Sequence, residues 1–122
     1  MKNRIITLSV AIAFVAIFCT CKKDETTAKM GQVTFSGTYG SKSTNTYTVT
    51  VEGKTTEFEE SNSTPACGTI SSETGFFTLP AGTHTYTATL KEVNFFDHSV
   101  QTYPAGPISF TITEGTCVSI RF

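Results

Sequence analysis

Residues 45–52 of the chain read NTYTVTVE, with an apolar residue at every second position from Tyr47 onward. In an extended segment this spacing places Tyr47, Val49 and Val51 on one face and the threonines on the other. A period of two residues is typical of an antiparallel strand with one face in a core and one face in water. From residue 31 onward, no stretch shows the period of three to four residues that indicates a helix. The segment therefore predicts an all-β domain.

The same alternation recurs before and after this segment. The clearest examples are residues 32–39 (QVTFSGTY), 83–90 (THTYTATL), 108–113 (ISFTIT) and 116–122 (TCVSIRF). In the first example Thr34 and Ser36 fall on the polar face and Tyr39 on the apolar face. Weaker patterns predict strands at 54–60, 77–79 and within 96–103. About seven to eight short strands at this spacing predict one antiparallel β-sandwich over residues 31–122.

Glycine and proline mark the predicted connections between these strands. Residues 80–82 (PAG) have the composition of a turn and predict a hairpin between 77–79 and 83–90. Residues 104–107 (PAGP) predict a break in the chain before the strand at 108–113. The serine-rich residues 61–72 predict a loop.

The N-terminus has the features of an export signal. Lys2 and Arg4 precede an apolar run over residues 5–18 (IITLSVAIAFVAIF). Its length of about 14 residues is typical of the apolar region of a signal peptide, whereas a membrane-spanning helix needs roughly 20 residues. The run ends within residues 18–25 (FCTCKKDE), where charged side chains begin. We therefore expect the chain to be exported.

This arrangement resembles a bacterial lipoprotein signal, in which the mature chain begins at a lipid-modified cysteine preceded by a small residue. Cys21 follows a threonine and fits that pattern better than Cys19, which follows a bulky phenylalanine. The resemblance implies a signal peptide at residues 1–20, acyl chains such as palmitate on Cys21, and a flexible tether over residues 21–30. A secreted protein without lipid and a retained anchor helix are the alternatives.

Residues 21–25 (CKKDE) resemble the start of surface lipoproteins from Bacteroidota-type bacteria. In that family a few charged residues after the lipidated cysteine act as a signal for export to the cell surface. The resemblance implies an outer-membrane protein that is anchored by its lipid and exposed on the cell surface, with a periplasm-facing protein as the alternative. The membrane is thus the first expected partner.

A second resemblance covers residues 75–90 (GFFTLPAGTHTYTATL) and 106–122 (GPISFTITEGTCVSIRF). These segments look like the small transthyretin-like or carboxypeptidase-regulatory-like sandwiches, including PEGA-type domains, of bacterial surface proteins. The matching motifs are turns and strands, so the resemblance implies a fold more than a function. Such domains mostly serve as binding or spacer modules, and the resemblance transfers no catalytic residue to this chain.

Two cysteines remain in the predicted domain, and an exported chain is oxidised, so we expect them to pair. Cys67 lies in the serine-rich loop, and Cys117 begins the last strand on the face opposite Val118. A disulfide between them would clip the loop to a sheet, and closing about 50 residues contributes roughly 4 kcal/mol in the chain-entropy model. A zinc site is the alternative, but the spacing of the cysteines does not match one.

Candidate catalytic groups are sparse. His84 and His98 are the only histidines, and no G-x-S-x-G motif is present. His84 alternates with inward residues and is expected to be a hydrogen-bonded histidine at a strand end, and His98 is expected to be solvated. Asp97 beside His98 is the one candidate for half of a hydrolytic pair. The glutamates within residues 57–60 lack the spacing of an EF-hand and fit a charged edge strand better. We expect no enzyme, no cofactor and no metal.

The charge of the domain argues against a nucleic-acid partner. Residues 31–122 contain four basic residues (Lys42, Lys54, Lys91, Arg121) and eight acidic ones (Glu52, Glu57, Glu59, Glu60, Glu73, Glu92, Asp97, Glu114). This excess of negative charge repels a polyanion, and the chain has no phosphate-binding loop.

Four aromatic residues are the candidate ligand contacts: Phe76, Phe95, Phe96 and Tyr103. Exposed, they could form a platform for a glycan or for an envelope protein. The preferred interpretation is that the irregular segment folds these rings over one end of the core, because large exposed aromatic patches are uncommon on monomers. We expect a non-catalytic binding or accessory module, and the alternative is a structural or protective protein of the envelope, a scaffold or an inhibitor.

Overall fold

The computed structural model describes residues 27–122, and the predicted signal peptide, Cys21 and most of the tether lie outside them. The described part is all-β, as predicted from the sequence. Its seven strands are β1 (Met30–Thr38), β2 (Ser43–Val51), β3 (Lys54–Ser61), β4 (Thr74–Pro80), β5 (Gly82–Asn94), β6 (Val100–Ile112) and β7 (Cys117–Arg121). Among residues 27–122, no helix has the length and the apolar character needed to cross a membrane.

The strands form two layers that pack face to face. The first layer has the order β4-β1-β7, with β1 antiparallel to β4 and parallel to β7. The second layer has the order β3-β2-β5-β6 and is antiparallel throughout. A short parallel pairing of Gly37 and Thr38 with Glu60 and Ser61 joins the layers at one corner. The fold is therefore sandwich-like, and β1 departs from the purely antiparallel pairing that the sequence predicts.

The core between the layers consists of the inward residues of the alternating segments. Its buried apolar members are Val33, Phe35, Tyr47, Val49, Val51, Phe58, Phe77, Leu79, Tyr86, Ala88 and Ile112. The ring of Phe35 lies at the centre and meets Phe77 and Tyr86 edge to face, with ring centroids 5.9 and 5.0 Å apart. Edge-to-face pairs of this kind add about 0.5–1.5 kcal/mol to the burial of apolar area.

All strands run between the same two ends of the molecule. The end at which the described chain enters β1 also holds the connections at residues 52–53, 80–82 and 113–116, and we call it the entry end. The opposite end holds the β1–β2 turn (39–42), the tip of the β5–β6 hairpin (95–99) and Phe122, and we call it the far end. Nine residues of β1 separate the two ends by about 30 Å.

Two predicted connections are wrong. Strands β4 and β5 do not form a hairpin, because β4 pairs with β1 while β5 pairs with β2 and β6, so residues 80–82 carry the chain from one layer to the other. Residues 104–107 do not break the chain but lie within the continuous strand β6. Since β6 is an edge strand with β5 as its neighbour, a proline there need not remove a ladder hydrogen bond. A β-bulge accommodates the irregular register with β5.

The predicted faces of the first strand also need correction. Thr34 and Ser36 are buried, not solvated, because residues 62–73 return over the outer surface of the first layer. Tyr39 lies beyond the end of β1 with 47% of its surface exposed, so it does not join the core. β1 is therefore buried on both faces from Val33 to Gly37.

Candidate functional site

The structure separates the four aromatic candidates. Phe95 and Phe96 lie at the hairpin tip, with 49% and 81% of their surface exposed. Tyr103 lies on β6, farther from the hairpin tip, and is 46% exposed, whereas Phe76 is half-buried on β4. The interpretation that these rings cover one end of the core is therefore wrong for Phe95 and Phe96. The candidates do not form a single platform, because Phe76 belongs to the first layer and the others to the β5–β6 hairpin.

Tyr103 instead forms one wall of an open cleft in the half of the sandwich nearer the far end. The cleft has a volume of about 230 Å³ and is lined by Tyr47, Ala88, Leu90, Tyr103, Pro104, Ala105 and Phe122. It exists because the three strands of the first layer leave the inward face of edge strand β6 uncovered, so that β6 is exposed along most of its length. The cleft is thus a gap in the core at an edge of the sandwich.

The tyrosines of the cleft have their hydroxyl groups held by neighbours. Burial raises the pKa of Tyr47 above its ordinary value, so its hydroxyl stays protonated and donates a hydrogen bond to the Thr38 carbonyl oxygen at 3.0 Å. Its ring stacks on those of Phe58 and Phe122, with centroids 5.5 and 5.6 Å away. The Tyr103 hydroxyl donates to Oε1 of Gln101. The aromatic walls are therefore fixed by both packing and hydrogen bonds.

The hairpin tip is ordered by its own polar groups. The side chain of Asn94 accepts a hydrogen bond from the Phe96 amide at 2.8 Å, and its backbone amide donates to the Ser99 carbonyl at 3.0 Å. Oδ1 of Asp97 accepts from the amide and the hydroxyl of Ser99. The Phe95 amide reaches across to the β1–β2 turn and donates to the Lys42 carbonyl at 3.1 Å. Both phenylalanines are thus presented on a defined backbone.

On the outer surface of the first layer, Cys67 and Cys117 form a disulfide, with Cα atoms 5.8 Å apart. The Gly68 amide next to it donates to Oγ1 of Thr34 at 2.8 Å. The side chain of Arg121 donates to Thr64 of the same loop. These contacts clip residues 62–73 over β1, as the sequence predicts for a disulfide between loop and sheet.

The two histidines lie at opposite ends of the sandwich. His84 is buried at the entry end, with Nδ1 2.5 Å from Oε1 of Glu52 and Nε2 2.7 Å from the Pro80 carbonyl oxygen. It joins the β2–β3 turn to the crossover between the layers, in agreement with the predicted hydrogen-bonded role. His98 lies at the far end beside Asp97 and is exposed. Within residues 27–122, no three His, Cys, Asp or Glu side chains are grouped so that they could hold a metal ion.

Sequence reasoning missed most of the cleft. The alternating pattern places Tyr47, Ala88 and Leu90 on inward faces, and it is the same in the closed and in the open part of the sandwich. Only the pairing of β5 with edge strand β6 shows that Leu90 and Tyr103 face each other where the first layer ends. Tyr103 is the one predicted contact that lines the cleft.

Comparisons with known proteins give no relative of this chain. No family model matches it, and neither a curated protein nor a solved structure matches it significantly.

Proposed function

We propose that the protein is a lipid-anchored module of the bacterial cell envelope, attached to the outer membrane through Cys21 and displayed on the cell surface, that binds a partner without catalysis. The observation that carries the proposal is that the point of chain entry and the exposed aromatic rings lie at opposite ends of the sandwich. The chain enters β1 at the entry end, while the exposed rings of Phe95 and Phe96 lie at the far end, with the cleft in the adjoining half. An anchor on the N-terminal side would hold the far end away from the membrane.

The exposed rings support a binding role. An aromatic side chain in water forgoes the roughly 1.5–3 kcal/mol that its burial would contribute. Here two adjacent phenylalanines stay exposed on a backbone that is fixed by local hydrogen bonds. Rigid aromatic side chains on a surface are the usual anchors of protein and ligand recognition.

The test of the anchor uses single substitutions of the two N-terminal cysteines. Cys21→Ala should abolish incorporation of labelled palmitate and leave the signal peptide uncleaved, whereas the matched Cys19→Ala variant should be lipidated normally. Protease treatment of intact cells should digest the wild-type protein. Loss of labelling in Cys19→Ala alone would contradict the anchor at Cys21. Protection of the protein from protease until the outer membrane is opened would contradict the surface display.

A structural or protective role in the envelope is the second candidate, a scaffold or an inhibitor without a small-molecule ligand. The observation in its favour is the loop at residues 62–73, which the disulfide clips over β1 so that this strand is buried on both faces from Val33 to Gly37. A deletion strain with a weakened envelope that is rescued equally by wild type and by a Phe95→Ser/Phe96→Ser variant would favour this role. Rescue by the wild type alone would favour binding through the far end.

A further inference from the structure

The cleft at the edge of the sandwich has an apolar interior. Ala88, Leu90 and Ala105 form its floor, and the rings of Tyr47, Tyr103 and Phe122 form its walls. No acidic or basic side chain lines it. Such an interior selects a ligand, or a part of one, that has an uncharged apolar surface.

A polar rim adjoins this interior on the side of the hairpin tip. Gln101 and Glu92 are cross-strand partners. Gln101 lies two residues from Tyr103 on β6, and Glu92 lies two residues from Leu90 on β5. Alternate residues of a strand share a face, so both polar side chains lie on the face that carries the cleft. Oε1 of Gln101 accepts the Tyr103 hydroxyl, which leaves its amide NH₂ group as a donor. The rim thus offers an amide donor beside a carboxylate acceptor.

The cleft itself accommodates about one ring. A cavity of about 150 Å³ is known to hold benzene, so about 230 Å³ holds one six-membered ring with its substituents. Most of an extended acyl chain or of a peptide segment would lie outside this volume. The carboxylate of Glu92 at the rim and the acidic excess of residues 31–122 disfavour an anionic ligand.

We propose that this cleft binds one sugar ring of a neutral saccharide. The apolar face of the ring packs against Tyr103 and Leu90. Hydroxyl groups at the edge of the ring donate to the carboxylate of Glu92 and accept from the amide of Gln101. This inference rests on the proposed binding function and assigns its ligand class. A phenylalanine side chain of a protein partner also fits the volume, but it has no groups that pair with the two rim side chains, and their desolvation would oppose it.

The test is an NMR titration of the mature protein, purified with its lipid in nanodiscs and labelled at its methyl groups. The probes are maltose, cellobiose and xylobiose as neutral saccharides, glucuronate as an anionic sugar and N-acetylphenylalaninamide as a peptide side chain. We expect at least one neutral disaccharide to shift the Leu90, Ala88 and Ala105 methyl signals in a saturable way, and glucuronate and the phenylalanine amide to leave them in place.

Three variants locate the site. Tyr103→Ala and Gln101→Ala should each weaken the binding of the saccharide by about twofold to tenfold, through the lost ring contact and the lost hydrogen bond. The matched control Ile70→Ser, at an exposed residue of the loop on the other layer, should bind like the wild type. Gln101 is exposed, so its variant keeps the fold even if Tyr103→Ala does not.

The outcomes separate the two proposals. Binding of the phenylalanine amide in the cleft in place of a saccharide would overturn the sugar assignment and leave the binding module intact. Binding of a saccharide that is unaffected by both variants would place the site elsewhere and overturn the assignment of the cleft. The absence of any saturable shift with every probe, at concentrations up to about 50 mM, would overturn the assignment and remove the cleft from the proposed function.

Discussion

Gly37 shows how closely the two layers meet at the joined corner. A Cβ atom at this position would overlap the ring of Tyr47, which is itself packed against Phe58 and Phe122. The glycine is needed for close approach, because no larger residue leaves room for the ring that walls the cleft.

Gly37→Ala should therefore lower the free energy of unfolding by about 1–3 kcal/mol, the usual cost of overpacking a core. Urea denaturation of the variant and the wild type measures this difference. The matched control is Gly53→Asn, in a turn where a Cβ atom would meet no other atom within 4 Å and where asparagine tolerates the left-handed backbone. Equal stability of Gly37→Ala and the wild type would show that Tyr47 can move aside.

Asp97 provides a second prediction for a single residue. Hydrogen bonds from the amide of Ser99, and also from its hydroxyl, hold the pKa of the Asp97 carboxyl below its ordinary value. Ser99→Ala should raise this pKa toward the ordinary value of about 3.9, because one donor is lost while the amide remains. Carbon-detected NMR titration of the carboxyl group checks it, with Ser109→Ala as the control that should leave the pKa unchanged.

The sign of the pH effect follows from the direction of the shift. Because the folded-state pKa is lowered, the ionised carboxylate stabilises the ordered tip at pH values above about 4. This contribution is lost as the pH falls through the lowered pKa. A titration midpoint of Asp97 that is equal in Ser99→Ala and the wild type would show that the hydroxyl bond does not form in solution.

Among the larger elements, the loop at residues 62–73 is linked to the first layer by the disulfide. It contains no strand, and it contacts the first layer through Gly68, Arg121 and the Cys67–Cys117 link. It nevertheless buries Thr34 and Ser36, which the alternating pattern assigns to solvent.

The Cys67→Ser/Cys117→Ser variant should lose up to roughly 4 kcal/mol of stability, the chain-entropy value for a separation of 50 residues. It should also increase hydrogen exchange at the Gly68 amide, since the loop is no longer held against β1. Chemical denaturation and amide exchange measure the two effects. The matched control is Arg121→Ala, which removes an exposed contact of the same loop and should cost less than about 1 kcal/mol. Unchanged exchange at Gly68 in the serine variant would show that the loop is held without the disulfide.

The elements also show what the sequence can predict. Alternation identified the inward residues of β2 and β5 correctly, because burial of one face is encoded in each strand by itself. It could not predict that β4 and β5 belong to different layers, since the partner of a strand depends on contacts far along the chain. The alternating pattern could not predict the open cleft either, because the cleft depends on which strands pair and where the first layer ends. Edge strands such as β6 tolerate prolines that a sequence pattern assigns to a break.

For the whole molecule, the two ends of the sandwich differ in the side chains that they carry and in how far their aromatic rings are exposed to solvent. At the entry end, the connections between strands are held together by the buried His84 and by an exposed ion pair. The ion pair joins Lys29 to Glu114, with 2.9 Å between the charged atoms. The far end carries Tyr39, Phe95 and Phe96 in solvent. If Cys21 anchors the chain, these ends lie at different heights above the membrane.

This orientation can be measured because the chain contains no tryptophan. We expect Ala81→Trp, at the entry end, to transfer energy efficiently to a dansyl-labelled lipid headgroup when the lipidated protein is inserted in vesicles. The matched Phe96→Trp variant, about 30 Å away along the strands, should transfer much less. Equal transfer from both positions, or the reverse order, would contradict the orientation on which the proposed function depends.

The position of β1 between β4 and β7 bears on the order in which the molecule can form. β1 is the earliest of the seven described strands in the chain, yet the neighbour on one of its sides is β7, the latest of them. Pairings between distant segments form slowly, because a long loop must close before the contact is gained. The first layer therefore cannot be completed until β7 has been synthesised, and until then the edge of β1 that holds β7 is left without a neighbouring strand.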